Sequence, residues 1–172
     1  MRLPIIVFIC CHLCACLGVP EAVVPVKNFD VDRYLGVWYE VARLDHSFER
    51  GLDAVSAEYS LRDDGGLRVV NSGRSVVTGE REQAVGRAYF VDTEDTGYLK
   101  VSFFGPFFGS YIIFDLDHKN YQYAFVAGNT TDYLWLLSRT PEVSEQVMQD
   151  FLDQSAALGF DTEALIFVRH NN

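Results

Sequence analysis

The chain has 172 residues, a formal net charge of −10 and an apolar fraction of 49%, with 13 Phe, 9 Tyr and 2 Trp. That composition indicates one domain with a sizeable core and excludes a disordered chain. The 14 Lys and Arg residues form no basic stripe, which excludes a nucleic-acid partner, and an acidic body is repelled by anionic membrane surfaces.

The N-terminus differs from the rest. Arg2 precedes an apolar stretch from Leu3 to about Leu13. As a helix, those residues would span about 16 Å, well short of the roughly 30 Å of a bilayer core. A charged start, a short apolar stretch and small residues after it read as a secretory signal. All four cysteines (Cys10, Cys11, Cys14 and Cys16) lie here, with His12 among them. A metal cluster would need a folded loop around its ligands, and a disulfide knot would need a second strand of chain. Leu13-Cys14-Ala15-Cys16 resembles the lipobox of bacterial lipoproteins, departing from it by Cys14 at the position before the small residue. The resemblance implies a signal over residues 1–15 and acylation of Cys16, by N-acyl and S-diacylglycerol groups. Ordinary signal cleavage nearby is the alternative. Leu17 follows, where an Asp would imply retention at the inner membrane, so the outer membrane is implied.

Residues 16–27 read as a lipidated N-terminus and tether, and residues 28–172 as the domain. Asn28 to Gly36 reads as one helical turn capped by Asp30. Strands are then expected at Val37–Leu44, Ala54–Leu61, Leu67–Ser75, Ala84–Asp92, Tyr98–Phe104, Ser110–Leu116, Tyr121–Ala127 and Tyr133–Ser138, with turn residues between them. Gly86 suggests a bulge or bend. Thr140, Pro141 and Glu142 read as a helix start, with Val143, Val147, Phe151 and Leu158 on one face and Gly159 as the stop. A short strand over Ala164–Arg169 ends the chain. Even spacing and simple neighbour order point to a closed barrel or a sandwich.

The body after the signal has no cysteine nucleophile, no G-x-S-x-G and no phosphate-cradling glycine loop. His46, His118 and His170 read as solvated surface groups, and Asp63-Asp64 as turn chemistry. Asn129-Thr130-Thr131 matches a glycosylation sequon but reads as a loop. No metal ligands and no cofactor are expected.

Gly36-Val37-Trp38-Tyr39-Glu40 resembles the G-x-W-Y signature of lipocalins, placed after a helical turn at the start of the first strand. Thr131-Asp132-Tyr133 resembles the second lipocalin motif, and Arg139 the third. WYEVARLDHSFERG, YSLRDDGGL, KVSFFGPFFGSY and DYLWLLSRTP are similar to the bacterial outer-membrane lipoprotein lipocalins, themselves related to the apolipoprotein D group. The resemblance covers residues 28 to 170. It implies an all-β fold: an eight-stranded antiparallel up-and-down barrel, a short N-terminal helical turn and one C-terminal helix packed outside. It also implies that Arg139 stacks on Trp38, with Gly36 and Asp132 as structural motif residues. Binding of fatty acids or lysophospholipids for storage or transport in envelope maintenance follows, with a membrane anchor, a homodimer and no catalysis.

Side-chain alternation then gives a ligand wall. If Arg139 points inward, Leu137, Trp135 and Tyr133 share its face. An outward Gln122 sets Tyr121, Tyr123 and Phe125 inward, and outward Lys100 and Ser102 do the same for Leu99, Val101 and Phe103. The parities of Ser110–Leu116 conflict, and Tyr111 is assigned inward. Two alternatives stand beside lipid binding: an envelope interaction protein with a filled barrel, and an enzyme on the same scaffold.

Overall fold

The computed structural model describes residues 17–170. Nine strands form one sheet: β1 Gly36–Arg43, β2 Leu52–Leu61, β3 Leu67–Ser75, β4 Arg81–Phe90, β5 Tyr98–Ser102, β6 Gly109–Leu116, β7 Tyr123–Ala127, β8 Leu134–Ser138 and β9 Ile166–Phe167. Each of β2 to β8 pairs with its neighbour in sequence, and β1 pairs with both β2 and β8. That double pairing closes an eight-stranded antiparallel barrel and removes its edges. The short β9 adds to β1 outside the ring. Strand ends shift by up to three residues from the alternation pattern, most at β4, which starts at Arg81.

Before the barrel, α1 (Val31–Tyr34) is capped by Asp30, whose Oδ1 accepts from the Asp32 and Arg33 amides. After it, α2 spans Glu145–Ala157. Its cap is Ser144, not Thr140: the Ser144 Oγ accepts from the Val147 amide, while the Thr140 hydroxyl donates to the Glu142 carbonyl. Both segments carry cap-like residues, and the free Ser144 side chain wins. At the other end, Gly159 (φ +87) donates to the Ala156 carbonyl and Phe160 to that of Ser155, the reciprocal pair that a left-handed glycine permits.

Two apolar layers result. One fills the barrel and includes Trp38, Tyr59, Val69, Leu99, Ile113, Val126 and Leu137. The other lies between the barrel wall and α2, where Phe125, Leu134, Leu136 and Ile112 meet Phe151 and Phe160. The second layer explains why β6, β7 and β8 are apolar on both faces. Gly86 makes no bulge, since β3 and β4 stay in register through it. A Cβ there would lie 2.8 Å from the Phe103 ring, so the glycine makes room for that ring.

The segment read as a tether is docked. The Gly18 amide donates to Ser110 Oγ at 3.0 Å, and Val23 is buried under the outer layer. Val26 donates to the Ile113 carbonyl and accepts from Gly97, and the Phe29 amide donates to the Asp95 carbonyl. The segment therefore runs down the barrel wall from the start of β6 to the turn before β5.

Candidate functional site

The antiparallel order gives the barrel two unlike ends. At one, α1 and the start of β1 close the bottom. Trp38 is fully buried, and its indole N–H donates to the Tyr34 carbonyl at 2.8 Å. The Arg139 guanidinium lies 3.8 Å from the Trp38 ring centroid. It also donates to the carbonyls of Val37 (2.8 Å), Arg33 (2.7 Å) and Tyr121 (3.3 Å). Gly36, at φ +90, brings the chain past this guanidinium. Arg139 thus ties α1, β1 and the turn before β7 into one lid. The other end carries the loops 44–51, 76–80, 103–108 and 128–133. Asp132 lies in the last of these, exposed, accepting from the Thr130 hydroxyl.

Leu99, Val101, Phe103, Tyr111, Trp135 and Leu137 all pack into the barrel interior. Tyr133 stands at the mouth, stacked at 6.1 Å on Trp135 and 6.3 Å on Phe48. Tyr121 is also interior, but at the closed end: its hydroxyl accepts from the Asp30 amide, and Arg33 lies over its ring at 4.2 Å. It belongs to the lid and lines no upper wall. Tyr123 and Phe125 are a correction. They face outward into the layer under α2, and Ala124 and Val126 take the inward positions. The error begins at Tyr121, whose φ of +56 breaks the two-residue alternation before the strand starts. In β6 the conflicting parities come from a register shift between Ile113 and Asp115, so Tyr111, Ile113 and Leu116 all face inward.

The lower half of the interior is filled by tyrosines. Tyr34 and Tyr59 each hydrogen-bond the Tyr111 hydroxyl, at 2.7 and 2.9 Å. Burial pushes all three hydroxyls above the ordinary tyrosine value. Two surface clefts, of about 570 Å³ beside Thr140–Glu142 and about 310 Å³ at the Leu61–Asp64 turn, involve none of the interior residues.

A buried ionic cluster near the mouth went unread in the sequence. Arg43 Nη1 donates to Glu40 Oε1 at 2.6 Å, and its other terminal nitrogen donates to the Glu49 and Leu52 carbonyls. His46 Nε2 lies 3.0 Å from Glu49 Oε2, which also accepts from the Trp135 indole at 3.2 Å. Contrary to its surface reading, His46 is only 5% exposed. His170 is half-buried against the Glu40 carbonyl, and His118 is exposed. Burial, then the neighbouring Glu49 charge, push the Glu40 carboxyl well above the usual carboxylate range, against the pull of Arg43. Burial also raises Glu49, but bonding and charge from His46, with the Trp135 indole, outweigh it and hold Glu49 below its ordinary value. A shift in register between Glu40 and Ala42 lets Glu40 and Arg43 share the inward face. Cys16 lies outside the described residues, and among the described residues no cluster of metal ligands occurs.

The lipocalin-like domain family matches residues 29–170. Outer membrane lipoprotein Blc of Vibrio cholerae is 59% identical over 154 residues, covering 90% of each chain. Its namesake in Escherichia coli K12 is 51% identical over 150 residues, covering 87% of this chain and 84% of that one. Among solved structures, insecticyanin from the tobacco hornworm Manduca sexta aligns with a TM-score of 0.72 at 22% identity, covering 90% of this chain and 88% of that one. That likeness speaks to the fold alone.

Proposed function

The chain belongs to the lipocalin family, and from that premise we propose that it binds fatty acids or lysophospholipids in the upper half of its barrel, for storage or transport in envelope maintenance. Its close relatives are outer membrane lipoproteins, and it is a lipid-anchored protein of the outer membrane of a Gram-negative bacterium. We assign the anchor to Cys16.

One observation carries the ligand reading. Above the tyrosine-filled floor, the interior wall is formed by Val101, Phe103, Leu137 and Trp135, with the polar groups of His46 and Glu49 at the mouth. An apolar wall with a few convergent polar groups suits an acyl chain whose headgroup stays at the opening. Arg43 Nε is buried without a hydrogen-bond partner among the described residues, and a headgroup phosphate or carboxylate offers an acceptor for that donor. The reaction class is binding alone, without chemical turnover.

Native mass spectrometry of the full-length protein extracted from envelopes tests the reading. A retained lipid of about one acyl-chain species per protein is expected, in addition to the mass of the anchor. A second reading, an interaction protein with a filled barrel, is favoured by the Tyr34–Tyr59–Tyr111 floor. It expects no retained lipid.

A further inference from the structure

The two ends of the barrel differ in the apolar groups they show to solvent. The closed-end turns carry the exposed acids Asp63, Asp64, Asp92, Glu94 and Asp95, with Asp64 paired to Arg62, and the open-end loops carry the exposed acids Asp45, Glu80 and Asp132. The open-end loops show large apolar side chains. Phe104 is 78% exposed, Phe107 67%, Val77 88% and Phe48 53%. These residues come from three different loops. Strand register sets those loops at one end, and the Val76 amide donates to the Gly51 carbonyl to join two of them. Between Ser102 and Ser110 there is no acidic residue, and Arg87 and Lys100 lie 5.5 and 5.4 Å from the Phe108 ring centroid. Large apolar side chains exposed together at one end of a barrel are uncommon on a free soluble surface and mark a contact face.

What covers it follows from where the chain enters. The Gly18 amide is held on Ser110 Oγ at the open end, and Gly18 packs against Asn129 of the mouth loop 128–133. Cys16 is two residues earlier, so it lies within about 7 Å of Gly18 along the chain. The docked segment from Val23 to Phe29 prevents the anchor from swinging to the closed end.

We infer that the open rim is a membrane-docking face. Phe104, Phe107 and Val77 enter the headgroup region of the leaflet that holds Cys16, and the barrel mouth opens directly onto that leaflet. The inference rests on the reading that Cys16 carries the lipid anchor. The occupant is a phospholipid surface: aromatic and aliphatic side chains supply interfacial burial, Arg87 and Lys100 face lipid phosphates, and the closed end points away. Acyl groups and rim together give the two signals that stable, oriented attachment takes.

The test uses the full-length acylated protein in vesicles of phosphatidylethanolamine and phosphatidylglycerol. The body beyond Cys16 has no cysteine, so single sites can be labelled cleanly. Bimane is placed at Phe107→Cys and Val77→Cys on the rim, and at Asp63→Cys and Glu94→Cys on the closed end. Quenching by a lipid-borne nitroxide is expected to be about twofold or more stronger at the rim sites. A Phe104→Ser/Phe107→Ser variant should still float with the vesicles but lose the quenching at position 77. Equal or stronger quenching at positions 63 and 94 would overturn the inference, as would flotation with no quenched site. Cross-linking between two copies at position 107 without lipid quenching would assign the rim to a dimer contact and also overturn it. Failure of the wild-type protein to float would instead remove the anchor, and the docking with it.

Discussion

Arg139 sits over Trp38 with its guanidinium carbon 3.8 Å from the ring centroid, and the same group bonds three backbone carbonyls from three segments. The pair is a clasp: stacking alone contributes about 0.5–2 kcal/mol, and each charge-assisted bond adds to it. Arg139→Ala should therefore cost about 2–4 kcal/mol, read from the urea midpoint. Arg139→Lys keeps the charge but loses the planar fork, and should recover only part of the loss.

Arg43 is 2% exposed and holds loop 44–51 to the barrel through two carbonyls while pairing with Glu40. Arg43→Met removes the cation and strands its partners. Breaking one side of a buried pair costs about 3–5 kcal/mol, and equilibrium unfolding should show a loss of that size.

Acidity should act on Glu40 and Glu49 in opposite directions. The folded state raises Glu40, so its contribution is full below the unfolded value of about 4.3 and is lost as pH rises through the raised value. Glu49 is lowered, so its contribution is present above about 4.3 and is lost as pH falls through the folded value. Unfolding midpoints of Glu40→Gln, measured across pH, should decline less on the alkaline side than those of the wild type. The acid limb should persist.

Phe125 faces α2, with its ring centroid 5.1 Å from that of Phe151. Phe125→Ala should cost about 3–5 kcal/mol of stability and leave lysophospholipid affinity unchanged. A large loss of affinity in a folded variant would return Phe125 to the ligand wall.

The strands, turns and both helices were legible because alternation, turn residues and caps are local signals. The lid was legible only through the resemblance of Gly36, Trp38 and Arg139 to the lipocalin motifs, which implies the stacking of Arg139 on Trp38. Inward and outward faces were legible only where alternation runs unbroken, as in Leu99, Val101 and Phe103. The positive φ at Tyr121 and the shift within β1 change the parity without leaving a mark on the residue pattern, and the shift within β6 shows there only as conflicting parities. The Glu40–Arg43–Glu49–His46 cluster was hidden for a second reason: ionisable residues read as surface unless their partners are known, and these partners come from a strand and a loop folded back over it. The docked segment from Gly18 to Phe29 was masked by its prolines, although Val23 and Val26 offered apolar groups.

The central claim is that the upper barrel holds one lipid. Lysophospholipid is titrated, below its micelle concentration, into the vesicle-held full-length protein, with heat and tryptophan emission followed together. Trp38 is sealed under Arg139, so the emission change should come from Trp135. The account predicts saturable heat at about one lipid per chain with a matching emission change, and Trp135→Phe should keep the heat and lose the optical signal. A flat calorimetric titration with unchanged emission would contradict it.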